Sequence, residues 1–316
     1  MLITRTPCRI TLAGGGTDLP SFYEKHGGFV LSAAIDKYVY VMVGKHWKDV
    51  VWIGYNNTEI ARKASEIRNN IVRSVLGATG ITTNIEIASI SDVPSNTGLG
   101  SSSSFTVGLL NALEPHRSKK SLAEGAYYIE RILLKEYGGK QDQYISAYGG
   151  LREIHVKYDG DVEVDGIMIG GEGYRGLEKR LCFFYTGTKR VASEVQRKYS
   201  RIAEKGLIEI FSNACDTNVA LEAGDFDEYG RLVASYWEIK KSFPGVSNTT
   251  FDSIYRHALK NGAIGGKLMG AGGGGFFMFI CEEGKKGLLR DAMARKGLPE
   301  IPIKFNFSGS SVVGRC

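Results

Sequence analysis

Residues 92–104 read D-V-P-S-N-T-G-L-G-S-S-S-S. They fall between a strand-like run at 84–90 and an apolar run of helical period at 105–113. A Gly/Ser-rich strand-to-helix turn directs free backbone N–H groups, and the positive end of a helix dipole, at whatever sits in it. Gly98 and Gly100 let the backbone approach a bulky anion and take positive φ. Ser101, Ser102, Ser103 and Ser104 add hydroxyls that bind phosphate oxygens or complete a metal shell. Phosphate is the natural guest, but in a turn outside the two commonest patterns. A Walker A loop fails because Gly266-Lys267 is followed by Leu268, with Asn261 where the first glycine belongs. A dinucleotide G-x-G-x-x-G fails at Gly14-Gly15-Gly16, where Leu19 takes the third glycine's place.

The elements that must hold this turn follow from the apolar pattern. Alternation and β-branched content predict strands at 2–6, 10–13, 29–35, 38–43 and 84–90, with a helix at 66–76. Two helices follow the serine turn. The second begins at Ser121 with Glu124 as a capping box and stops before Gly138-Gly139. A Gly-rich, charged region at 149–176 contains a hairpin signal at Asp159-Gly160 and marks the domain junction, giving domains 1–165 and 166–316. The second half reads as a strand at 180–185 and three or four helices, one capped by Asp225 with Glu228 and one by Thr249 or Thr250. Beyond these come the glycine run 270–275 between two strands, a helix at 284–296 and a closing strand at 303–307. Both halves are α+β.

Composition narrows the classes. The 316 residues are 43% hydrophobic and 10% aromatic, as in globular domains, and the length suggests about two of them. A net charge of +6 from 40 basic and 34 acidic residues is mild and spread along the chain, which suits an anionic small substrate and predicts no nucleic-acid partner. Cys8, Cys182, Cys215, Cys281 and Cys316 are scattered without a C-x-x-C pair, as expected for small buried residues in a reducing cytoplasm. Five scattered histidines give little basis for a histidine metal site. No apolar run approaches the ~18 residues of a membrane span.

Two more segments accompany the serine turn. Residues 6–20 carry Arg9 on a strand, then Gly14-Gly15-Gly16-Thr17-Asp18. An aspartate just after a glycine turn can accept hydrogen bonds from sugar hydroxyls. Residues 267–275, K-L-M-G-A-G-G-G-G, form a glycine loop against which another backbone can pack closely. In this order and at these separations the three motifs resemble those of the GHMP kinases: the first at 7–18, P-x-x-x-G-L-G-S-S-[AS] at 94–103, and G-A-G-x-G-G at 270–275. The one departure is Asn96, where relatives often have Gly; asparagine tolerates the left-handed region.

The resemblance implies a two-domain α+β fold, the first domain like domain 2 of ribosomal protein S5 and the second ferredoxin-like, with ATP and Mg²⁺ bound between them. It implies nucleotide contacts from Pro94, Gly98, Leu99, Gly100, Ser101, Ser102, Ser103, Gly270 and Gly272. Asp142, in the run G-G-K-Q-D-Q, matches the family's catalytic aspartate, and Arg9 matches the basic residue beside it. Glu130 and Ser102 match the Mg²⁺ ligands. For the acceptor it implies Gly15, Gly16, Thr17, Asp18, Lys140 and Gln141. G-G-G-T-D lacks the Glu-His of galactokinases, so galactose is not expected. With G-G-K-Q-D-Q it looks like the subgroup of D-glycero-D-manno-heptose 7-phosphate kinases and fucokinases, which act on an anomeric hydroxyl. Lys140 favours the former, where its ammonium is expected to bind the acceptor's phosphate. A kinase for a non-sugar alcohol and a silent sugar sensor are the alternatives; Asp18 argues against the first, and the intact Asp142, Glu130, Ser102 and Arg9 against the second.

Overall fold

The computed structural model describes residues 1–55, 57–188, 195 and 204–315. The two N-terminal runs expected as separate strands form one, Leu2–Ala13, and the next two likewise merge into Gly28–Gly44. Their antiparallel register shifts between Pro7, opposite Tyr38, and Arg9, opposite Ala34. Proline cannot donate to a ladder, and an irregularity beside it lets the strand continue while re-aiming the next side chains. Arg9 is the residue that emerges from this step.

This pair is the centre of an eight-stranded sheet. Strand Ile85–Ser91 lies beside Gly28–Gly44, followed by Val51–Gly54 and Thr58–Ala61. The hairpin of Leu151–Val156 and Val162–Gly166 also joins Gly28–Gly44, and its turn places Gly160 at φ +86°. The final strand, Ser311–Arg315, pairs with Leu2–Arg5 of the first, so the chain's end returns to this sheet. The 303–307 run expected as the closing strand makes only one bridge, Phe305 to Ile35, beside the same irregularity.

Several helix starts are set by side-chain caps. The cap expected at Ser121 is at Ser118, whose hydroxyl accepts from the Ser121 N–H to open helix Lys119–Tyr127. Asn248, not Thr249 or Thr250, caps Thr249–Leu259, and Asn69 caps Asn70–Ala78. Asp225 caps Phe226–Lys241 as expected, accepting from the Glu228 N–H. Lys119–Tyr127 runs on through a π-helical turn, Tyr128–Leu133, a wider turn that alters which side chains face inward.

The second half builds a three-stranded antiparallel sheet, Leu181–Tyr185, Phe276–Cys281 and Ala263–Leu268, in that spatial order. Glu204–Ala223, Phe226–Lys241 and Thr249–Leu259 supply three of the three or four expected helices. The core of this half is aromatic, with Trp237, Phe277 and Phe279 fully buried. Cys8, Cys182 and Cys281 are buried and Cys215 is exposed, while Cys316 lies outside the described residues. Although distant in sequence, Cys182 and Cys281 bring their sulfurs within 3.3 Å on neighbouring strands. No helix among the described residues is long and apolar enough to cross a membrane.

Candidate active site

The serine turn has the backbone its residues require. Asn96, Gly98 and Gly100 sit at φ +64°, +86° and +73°, and Gly100 is the N-cap of helix Ser101–Leu113. Thr97 closes the turn by donating its hydroxyl to the Pro94 carbonyl at 2.9 Å. The helix N-terminus opens into a cleft lined by Gly98, Gly100, Ser101, Ser102 and Ser103. The glycine loop contributes Gly270 and Ala271 to the same cleft. Pro94, Leu99 and Gly272 do not line it; they shape the loops. The Leu99 carbonyl accepts from the Arg9 N–H at 2.9 Å, and a Cβ on Gly272 would fall 2.6 Å from Val246.

At the end of the serine turn stands an ion pair that fits the fork geometry of guanidinium and carboxylate. Arg9 Nε donates to Asp142 Oδ1 and its Nη2 to Oδ2, both at 2.8 Å, while Nη1 donates to the Gly98 carbonyl. Three bonds therefore hold one guanidinium between the turn and the carboxylate. Each Asp142 oxygen retains a lone pair beyond the one Arg9 uses, and Asp142 lines the cleft.

Asp142 belongs to helix Gln141–Tyr148, whose first turn also carries Gln141 and Gln143. The Gln141 side chain accepts from the Thr11 hydroxyl at 2.6 Å, and its backbone N–H donates to Asp18 Oδ2 at 3.0 Å. Asp18 Oδ1 receives the Gly16 N–H at 3.2 Å. Asp18, Gly15, Gly16 and Gln141 all face the cleft. Gly139 makes this approach possible, since a Cβ there would stand 2.0 Å from Asp18 Oδ2.

Glu130 is only 1% exposed. Its Oε2 accepts from Gln143 Nε2 at 2.6 Å and from the Ser103 hydroxyl at 2.8 Å. The serine bonded to Glu130 is thus Ser103, where the motif pointed to Ser102; Ser102 is exposed on the same cleft wall. Ser104 turns away and bonds the Pro7 carbonyl at 2.9 Å. Glu130 Oε1 and Gln143 Oε1 are buried without a hydrogen-bond partner among the described residues, a costly arrangement that a cation or bound ligand would relieve. Arg131 lies 3.5 Å from Glu130 and 3.7 Å from Glu136. Burial, then the charge of Glu130, raises the Glu136 carboxyl above its usual range.

Two residues expected at the acceptor are elsewhere. Thr17 is buried, and its hydroxyl bridges the Gly14 and Phe29 carbonyls at 2.8 Å each, so it braces the triple-glycine turn. Lys140 is 8% exposed and does not line the cleft. Its ammonium donates to the Gly160 carbonyl at 2.5 Å and stands 4.3 Å from the Tyr127 ring centroid. Burial lowers its pKa, and the backbone carbonyl and ring replace the phosphate it was expected to meet. Spacing in the sequence does not reveal these partners, since Gly160 lies twenty positions away.

Several cleft residues were given no role by the motifs: Thr11, Arg131, Glu136, Tyr236, Lys240 and Lys267. Thr11 lies inside the first motif and Lys267 just before the glycine loop, yet neither position signals a place in the cleft.

Profiles of known families match two stretches, GHMP kinases N terminal domain over residues 59–150 and GHMP kinases C terminal over 217–299. A Campylobacter jejuni protein named D-glycero-alpha-D-manno-heptose 7-phosphate kinase is 30% identical, with 93% of each chain covered. The L-fucokinase/L-fucose-1-P guanylyltransferase of Bacteroides fragilis is 26% identical over 88% of this chain and 34% of its own. Among solved structures, a D-glycero-D-manno-heptose 1-phosphate kinase from Bacteroides thetaiotaomicron superposes with a TM-score of 0.85, 25% identity and complete coverage of both chains.

Proposed function

The chain belongs to the GHMP kinases, and from that premise we propose that it transfers the γ-phosphoryl group of ATP to the anomeric hydroxyl of a heptose phosphate, D-glycero-D-manno-heptose 7-phosphate first among them. Proteins of this family are phosphotransferases that use ATP and an alcohol acceptor. The names of the two heptose relatives agree on a phosphorylated heptose and differ in where the phosphate sits. The observation that carries the reading is the Arg9–Asp142 fork at the end of a phosphate-type turn.

Phosphoryl transfer asks a protein mainly to position reactants and stabilise charge. The N–H groups of the serine turn, with the helix dipole behind them, suit the nucleotide's phosphates. Asp142 suits the acceptor hydroxyl, whose proton it would accept through a lone pair that Arg9 leaves free. Arg9 remains beside the transferring group to offset its charge. Asp18 and Gln141 would orient the sugar's other hydroxyls. The donor set also fits Mg²⁺: Glu130 Oε1 is buried without a partner among the described residues, Ser103 bonds the other oxygen of that carboxylate, and Ser102 lines the same cleft. A bound Mg²⁺ would supply neutralisation of the phosphate charge.

ADP release measured over a panel of sugars and sugar phosphates tests the reading. Heptose 7-phosphate should be the best acceptor. A panel led by L-fucose would move the chain to the fucokinase-like reading, and one led by mevalonate would end the sugar assignment. A second measurement addresses the metal. Glu130→Gln and Ser102→Ala should each raise the Mg²⁺ concentration for half-maximal rate, because Mg²⁺ keeps few protein ligands. Ser103→Ala should act through Glu130 by removing its 2.8 Å bond. Titration curves that overlay the parent in Glu130→Gln and Ser102→Ala would leave both residues structural.

A further inference from the structure

The cleft holds two lysines that the phosphate turn and the Arg9–Asp142 pair do not account for. Lys267, on strand Ala263–Leu268, is 2% exposed, and its ammonium donates to the Leu12 carbonyl at 2.8 Å. It stands 4.2 Å from the Tyr236 ring centroid. Lys240, also 2% exposed, follows Tyr236 by one helical turn. The Lys240 ammonium and the Tyr236 hydroxyl both donate to the Gly15 carbonyl at 3.4 Å. All three side chains line the cleft.

A buried lysine ordinarily meets a carboxylate. Lys267 meets the Leu12 carbonyl and the Tyr236 ring instead. Burial first, then Lys240, then Arg9, hold its amine well below the usual lysine range. An anion bound in the cleft beside this amine would favour its charged form, so the lysine-bearing wall suits an anion.

The order of contacts along the cleft says which anion. A Cβ on Gly100 would lie within 3.4 Å of both Arg9 and Asp142, so the serine turn abuts the ion pair. Gln141, next to Asp142, bonds Asp18, and Asp18 bonds the Gly16 N–H. Gly15 then holds Lys240 and Tyr236. The two lysines therefore belong to the acceptor side of Asp142.

We propose that Lys240 and Lys267 form the subsite for a phosphate already carried by the acceptor, the role that Lys140 does not fill. The proposal rests on the assignment of Asp142 to the acceptor hydroxyl. The competing account is purely structural: Lys267 ties the second sheet to the first strand through Leu12, and Lys240 steadies the triple-glycine turn. A structural tie lowers stability when cut, but it does not discriminate between phosphorylated and free acceptors.

The test compares kcat/KM for D-glycero-D-manno-heptose 7-phosphate and the free heptose in the parent, Lys240→Met and Lys267→Met. Inorganic phosphate is titrated as a competitor of the acceptor in each. The parent should prefer the phosphorylated sugar. Each substitution should shrink that preference by about 10- to 100-fold, the range of one charged hydrogen bond, mostly through KM, and should weaken inhibition by inorganic phosphate. Lys267→Arg should retain more of the preference than Lys267→Met. If Lys267→Met does not fold, Lys240→Met decides. Unchanged preference in the folded variants overturns the proposal while leaving the acceptor assignment intact. An equal loss with both acceptors also overturns it, by placing the lysines at the transferring group. A parent that prefers the free sugar overturns the proposal together with the phosphorylated acceptor of the proposed function, and leaves Asp142 in place.

Discussion

Asp142→Asn should lower kcat about 100- to 10,000-fold while ATP binding stays within a few-fold of the parent. General-base assistance has that size, equivalent to about 2.7 to 5.4 kcal/mol of barrier. Asparagine keeps the shape but removes the acceptor lone pairs of one oxygen. Its amide N–H₂ then faces the donors of Arg9, where the aspartate accepted from Nε and Nη2 at 2.8 Å each. Losing one of these bonds costs about 1 to 3 kcal/mol of stability, so thermal melting must accompany the kinetics. The two effects separate because a misplaced Arg9 alters the serine turn through the Gly98 carbonyl, and hence ATP affinity, whereas a missing base alters turnover alone. A kcat within tenfold of the parent would remove Asp142 as the base and leave Arg9 as the group that promotes direct attack.

Gly275→Ala should destabilise the protein by about 2 to 5 kcal/mol and weaken ATP binding at least tenfold. Gly275 has φ +91°, and a Cβ there would stand 2.0 Å from the Thr97 carbonyl oxygen, a backbone atom of the serine turn. Its own N–H donates to the Thr188 carbonyl at 2.8 Å, and its carbonyl accepts from the Thr186 N–H at 2.9 Å. The glycine is held on both sides, so the serine turn must give way. The backbone conformation contributes about 1 to 2 kcal/mol and the overpacking about 1 to 3 kcal/mol. Gly297→Ala separates the two terms, because Gly297 has φ +77° and open space around it. Melting temperature and ATP titration check both variants. Equal losses in the two would mean that backbone conformation alone matters, and that the glycine loop does not buttress the turn.

What the residues determined by themselves is local. Positive φ at Asn96, Gly98 and Gly100, and the helix beginning immediately after them, follow from side-chain type and apolar period within a dozen positions. The hairpin at Gly160 and the Asp225 cap are of the same kind. Asp142 and Arg9 could be named because each sits in a recognisable run, although the fork that joins them spans 133 positions. Other assignments depended on which of several equivalent groups the packing selects. Four adjacent serines look alike in sequence, yet the helix turns Ser103 toward Glu130 and Ser104 toward Pro7. Lys140 lies two residues from Asp142, but its long flexible stem follows the space that the Gly160 carbonyl and Tyr127 offer. Lys240 and Lys267 carried no local signal for this cleft, since their place in it arises from contacts with Gly15 and Leu12 that span 225 and 255 positions. Periodicity and turn chemistry report on neighbours along the chain. The direction of a charged side chain at a cleft is decided by burial and by the nearest acceptor in space, and only the assembled fold supplies both.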